Sequence, residues 1–189
     1  MTNHRTTVSA ALAVAALAVV TMGSPAAAAD YTIEVRAGYT QTMPSEKNSQ
    51  FICPVNQVLT GRRHVGNENA PTTYYCGTIY INGQQVFVHS GDWTQPRKES
   101  EGYIVAPADQ VLVGRWHEKD ENGPTRYRTA ALYWQNRQVK VTGPIWSDQY
   151  KESSHTSMAP SNQVMTGRVH NGDENGKTQY QYSKLVFTD

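Results

Sequence analysis

One stretch recurs three times and limits what the chain can fold into. It reads PVNQVLTGRRHVGNENAPTTY over residues 54–74, PADQVLVGRWHEKDENGPTRY over 107–127 and PSNQVMTGRVHNGDENGKTQY over 160–180. Both intervals are 53 residues with no insertion, so Arg62, Arg115 and Arg168 hold one repeated position. The shared skeleton is P-x-(N/D)-Q-V-(L/M)-x-G-R-x-H-x-x-(D/N)-E-N-x-x-T-x-Y. A fixed period of this size marks copies of one structural unit. The sequence therefore predicts a single domain over 30–189, built from segments 30–82, 83–135 and 136–188.

Each unit reads as four short strands. The first carries Ile33-Glu34-Val35, Val86-Phe87-Val88 or Val139-Lys140-Val141, an alternation with the period of a strand. A loop with Trp93 or Trp146 follows (Thr40 in the first unit), then a polar run: Lys98-Glu99-Ser100, Lys151-Glu152-Ser153, and Glu46-Lys47 in register. The second strand is expected near 50–53, 103–106 and 156–159. The third is the Q-V-(L/M)-x-G-R-x-H run. Simple alternation places Val111, Val113, Arg115 and His117 on one face and Gln110, Leu112, Gly114 and Trp116 on the other. Asp120-Glu121-Asn122-Gly123 then reads as a hairpin turn, because Asn and Gly both tolerate positive φ. The fourth strand covers 125–132 and its equivalents. It is expected to form a second hairpin with the next unit's first strand through Asn82-Gly83 or Asn136-Arg137. By the same logic 184–188 should meet the first strand of the first unit and close a ring. No helical periodicity of useful length follows residue 29. The expected fold is a closed all-β domain with pseudo-threefold symmetry and about 12 short strands, of β-trefoil, β-prism or three-bladed pinwheel type, since closure removes exposed edges.

Residues 1–29 read as a secretory signal peptide: a weakly basic start with His4 and Arg5, an apolar run over 8–20, and Ala27-Ala28-Ala29 as cleavage site. Cleavage before Asp30 leaves 160 residues, against 159 for three periods. The expected location is secreted and extracellular, with no membrane span. Removing Arg5 leaves 16 basic and 16 acidic residues, a balance with no bias toward nucleic acid or anionic membranes. Cys53 and Cys76 are the only cysteines and lack counterparts in the other units. In an exported chain they predict one disulfide.

Folding needs the repeated apolar residues and turns more than the repeated His, Asp, Glu, Asn and Tyr. A sugar requires hydroxyl, amide, imidazole and carboxylate partners beside an aromatic face. His117, Asp120, Glu121, Asn122 and Tyr127 supply these in the second unit. His170, Asp173, Glu174, Asn175 and Tyr180 supply them in the third. The first offers His64, Glu68 and Asn69, with Asn67 for Asp and Ala70 for Gly. This predicts one ligand-binding hairpin per repeat, suited to multivalent capture of an extracellular polysaccharide or glycan. In outline the chain resembles threefold-repeat secreted lectins, and that resemblance implies non-catalytic carbohydrate binding. It carries neither Q-x-W nor Q-x-D-x-N-x-V-x-Y.

Three other readings stand beside it. One is a protein-binding adaptor subunit of a secreted complex, such as an antibacterial toxin particle, with another secreted protein as partner. Another is structural: Arg115 paired with Glu121, with His117 and Tyr127 completing a hydrogen-bond network. The last is metal binding, with zinc on His64, His117 and His170, or calcium at the Asp-Glu-Asn-Gly turn, which lacks EF-hand spacing. No cofactor is expected beyond that calcium. Catalysis is not expected: G-x-S-x-G and H-E-x-x-H are missing, and Glu68, Glu121 and Glu174 fall one per repeat instead of as a pair across a cleft.

Overall fold

A computed structural model describes residues 1–2 and 30–188, so the expected signal peptide, apart from its first two positions, lies outside the described residues. The described chain is all-β, with no α-helix and no helix long and apolar enough to cross a membrane. In chain order the strands are β1 (Ile33–Met43), β2 (Ser49–Ile52), β3 (Gln57–Val65), β4 (Thr72–Ile81), β5 (Gln84–Gln85) and β6 (Phe87–Trp93). β7 (Arg97–Lys98), a 3-10 turn (Glu99–Glu101), β8 (Tyr103–Val105), β9 (Gln110–His117), β10 (Pro124–Trp134) and β11 (Arg137–Gln138) follow. The last are β12 (Lys140–Trp146), β13 (Tyr150–Lys151), β14 (Ser154–Met158), β15 (Gln163–Asn171) and β16 (Lys177–Val186).

All pairings are antiparallel and form curled sheets. The repeated Q-V-(L/M) strand and the one after it make a hairpin in each segment: β3–β4, β9–β10 and β15–β16. The first long strand lies against the fourth of its own segment: β1–β4, β6–β10 and β12–β16. The second strand leaves its segment and pairs with a third strand elsewhere: β2 with β9, β8 with β15, β14 with β3.

The expected hairpin from the fourth strand to the start of the next segment is present but short, at β4–β5 and β10–β11. Asn82 and Gly83 turn, with φ of 49° and 76°, Tyr80 and Ile81 pair with β5, and Val86 N donates to Ile79 O at 2.9 Å, as Val139 N does to Leu132 O. Val86, like Val139, is then drawn fully into the core, and the chain moves on to its own segment's hairpin. Residues near the two ends still meet, through side chains: Tyr31 sets its ring edge-on to Phe187 at 4.9 Å.

One correction concerns faces. β9 pairs Gly114 with Arg128 but Leu112 with Thr129, leaving Val113 as an extra residue. The same β-bulge occurs at Thr60 in β3 and Thr166 in β15. One inserted residue reverses the alternation beyond it. Leu112, Arg115 and His117 therefore share a face, while Val111 and Val113 turn the other way. Two buried clusters result, each drawing on all three segments. One is aliphatic, around Val58, Val111, Val164, Ile79, Leu132 and Leu185. The other holds Leu59, Leu112, Met165, Tyr74, Tyr127 and Tyr180, and includes the expected Cys53–Cys76 disulfide.

The repeated P-x-(N/D)-Q has a structural role. Asn56, Asp109 and Asn162 adopt φ near 60°, which short polar side chains tolerate. Their Oδ1 atoms accept the backbone N–H of Val88, Val141 and Val35, each on a first strand of another segment.

Candidate functional site

The bulge brings the charged half of β3, β9 and β15 inward. Arg62, Arg115 and Arg168 are 1–2% exposed, and so are His64, His117 and His170. Such burial requires counter-charge. It comes from the polar run ahead of the second strand: Glu46, Glu99 and Glu152 are 4–5% exposed. Each arginine bridges two of them. Arg62 lies 2.6 Å from both Glu46 and Glu152, and Arg115 lies 2.9 Å from both Glu46 and Glu99. Arg168 lies 2.6 Å from Glu99 and 3.0 Å from Glu152. Three acids and three bases thus alternate in a closed, electrically neutral cycle. The repeated tyrosines complete it across segments: the hydroxyls of Tyr180, Tyr74 and Tyr127 accept from Arg62, Arg115 and Arg168 at 2.9, 3.2 and 3.1 Å.

The hairpins hold this cycle in place. Glu46 N donates to Ala70 O, Glu99 N to Gly123 O and Glu152 N to Gly176 O, each at 3.0 Å. The next residues, Lys47, Ser100 and Ser153, donate to the carbonyls of Glu68, Glu121 and Glu174. The turn chemistry differs from the Asn-Gly expectation. Asn122 and Gly123 do not have positive φ; the left-handed position comes earlier, at Gly66, Lys119 and Gly172. Gly123 is required for close approach instead, since a Cβ there would sit 1.8 Å from Glu118 O. Gly123 N closes on Asp120 O, and Asp120 Oδ1 accepts from Asn122 N at 3.0 Å. Asn67 and Asp173 do the same for Asn69 and Asn175.

Electrostatics follow from this geometry. Burial opposes ionisation of Glu99, but the guanidiniums of Arg115 and Arg168 outweigh it and hold the carboxyl well below the usual range. Glu152 is held well below in the same way by Arg168 and Arg62, and Glu46 is lowered by Arg62 and Arg115 against its burial. Burial, then the neighbouring arginine, lowers the histidines: His117 to about 4, with His64 and His170 moving the same way. They are neutral at pH 7. His64 Nε2 lies 3.3 Å from Glu46 Oε2, and His170 Nδ1 lies 3.5 Å from Glu152 Oε2. A fourth buried imidazole, His155, faces the Tyr180 hydroxyl at 2.7 Å and is also pushed down to about 4, by burial and then by Arg62.

Of the residues singled out in the sequence, the structure gathers some and separates others. Glu68, Glu121, Glu174 and Asp173 join His64, His117 and His170 around one cavity of about 20 Å³, floored by Glu46, Glu99 and Glu152. The hairpins therefore share one mouth. Tyr127 and Tyr180 are buried against arginine, and Asn69, Asn122 and Asn175 are exposed at the tips. Arg115 pairs with Glu46 and Glu99, not with Glu121. The inner glutamates were not singled out, although they recur at the same 53-residue period. Among the described residues they form the single trio with ligand atoms within 4.8 Å of one another; the histidines form none. Each inner carboxylate is already matched by two guanidiniums, whose charges would repel a divalent ion. Comparison with protein-family models, curated proteins and solved structures finds no match to the chain.

Proposed function

We propose that the chain is a secreted, non-catalytic binding protein, a closed pseudo-threefold ring that engages another extracellular protein at the face where the three hairpins meet. The observation that carries this reading is the single shared mouth. Pockets that enclose a small molecule such as a sugar run to roughly 300–1,000 Å³. The mouth measures about 20 Å³, room for one water-sized group. It suits a protruding side chain, with the hairpin tips meeting the surface around it. The tips are held by their turns, so little conformational entropy is lost on docking. Three cross-segment strand pairings, β2–β9, β8–β15 and β14–β3, support the ring. The disulfide suits an extracellular setting.

The test is co-purification of the tagged mature chain from culture supernatant. One partner in stoichiometric amount is expected, lost in Glu121→Lys/Glu174→Lys while the melting temperature holds. Partner retention by that variant would sink the reading.

Carbohydrate binding is the second reading, and a different surface favours it. Phe87, 54% exposed, His89 and Tyr133 form an aromatic cluster with centroids 6.3 and 6.5 Å apart, beside Asn136 and a cleft of about 300 Å³. A glycan array showing binding abolished by Phe87→Ala would favour it.

A further inference from the structure

The mouth is layered along its depth. The Glu46–Arg62–Glu152–Arg168–Glu99–Arg115 cycle at the floor has no net charge. Two residues further along each strand, roughly 6.6 Å in extended chain, stand the three histidines. Beyond them the half-buried Glu68, Glu121 and Glu174, with exposed Asp173, form a wholly acidic rim. A neutral floor under an acidic rim selects a cation.

The histidines give this selection its geometry. On His64 and His117 Nδ1 has no hydrogen-bond partner, and on His170 it has only Glu152 Oε2 at 3.5 Å, although each side chain is at most 2% exposed. A buried polar atom left unmatched costs about 1–3 kcal/mol, and those of His64 and His117, which face no carboxylate through Nδ1, call for an occupant. Each neutral imidazole offers one lone pair, and the rim carboxylates only accept. The cavity therefore presents acceptors in threefold array within the space of one small group.

We propose that this cavity is the receptor for a primary ammonium group, the side chain of a lysine on the partner protein. An ammonium is a compact point charge with three N–H donors and no acceptor, carried on a slender stem. Its donors are arranged as the three segments are. A guanidinium is planar and wider, with donors in a fork. Calcium takes six or more oxygen ligands, which a layer of imidazoles does not supply. The proposal rests on the protein-binding reading for its lysine, and on the cavity alone for its chemistry.

The test titrates the isotopically labelled mature chain with methylammonium and follows the imidazole signals of His64, His117 and His170 by NMR. With two heavy atoms the probe gains at most about 3 kcal/mol, so saturation is expected with Kd on the order of 10 mM. Glu121→Gln/Glu174→Gln is expected to weaken it about fivefold with an unchanged melting temperature. Tetramethylammonium, which has the charge without the donors, is expected to leave the signals in place. Equal shifts with tetramethylammonium, guanidinium or calcium, or none with methylammonium at 100 mM, about ten times that Kd, overturn the proposal. A partner that co-purifies without any methylammonium response leaves the adaptor reading standing and removes this one. Methylammonium binding with glucosamine competing and no protein partner keeps the ammonium receptor and moves its source to an amino sugar.

Discussion

The two ends of β3, β9 and β15 are built on opposite principles. At one end Val58, Val111 and Val164 join an aliphatic cluster in which contacts are non-directional and any well-shaped apolar residue suffices. At the other, Arg62, Arg115 and Arg168 enter a cycle in which each charge has two named partners from different segments. The apolar end supplies cohesion. The charged end supplies little net stability, since desolvation offsets attraction, but it is satisfied only when all three segments are in place. Loss at the first end is graded; loss at the second strands a charge.

Acid should separate the ends most strongly. His117 and His155 are held near 4 in the fold, against an ordinary value of 6.5. Between those values the unfolded chain binds protons that the folded chain refuses, so stability falls as pH drops, by up to about 3 kcal/mol for each. The lowered glutamates add stability that is complete above the ordinary carboxyl range and is lost below it. Denaturant titrations at pH 7, 5.5 and 4.5 should show a steady decline; a flat profile would contradict neutral buried histidines. At the alkaline side Tyr180, raised to about 12 by burial, costs stability once an unfolded phenol ionises near 10.

Arg115→Met should cost about 3–5 kcal/mol, because Glu46 and Glu99 each lose one of two counter-charges. Adding Glu46→Gln restores two acids to two bases. The double variant should regain about 1–3 kcal/mol by a double-mutant cycle. Strict additivity would mean the cycle does not act as a unit. At the apolar end, Leu132→Ala should cost about 3 kcal/mol, and that loss should be the same at pH 7 and pH 5.5. The smallest effect is at the tips: Asn122→Ala should cost less than about 1 kcal/mol in thermal unfolding.

The repeat made the all-β class, the strand order within a segment, the disulfide and the fixed places of Arg, His and Tyr legible. The face of those residues was not. Thr60, Val113 and Thr166 have no composition that announces a bulge, yet one extra residue moves Arg115 from the side of Val111 to the side of Leu112. The partners were hidden for another reason. Glu46 stands 16 positions before Arg62 and also reaches Arg115, and local pattern carries no information on contacts made across segments. Histidine beside Asp-Glu-Asn looked like one exposed ligand set. Folding sends the imidazole inward and the acids to a shared rim.

The joint between residues 30 and 188 has a practical consequence. Among the described residues β1 takes its strand partners from β4, and β16 from β12, β13 and β15, so no strand pairing crosses that joint, where Tyr31 sets its ring edge-on to Phe187. A circular permutant that links 188 to 30 and opens at the exposed Asn82-Gly83 turn keeps all of the long strand ladders.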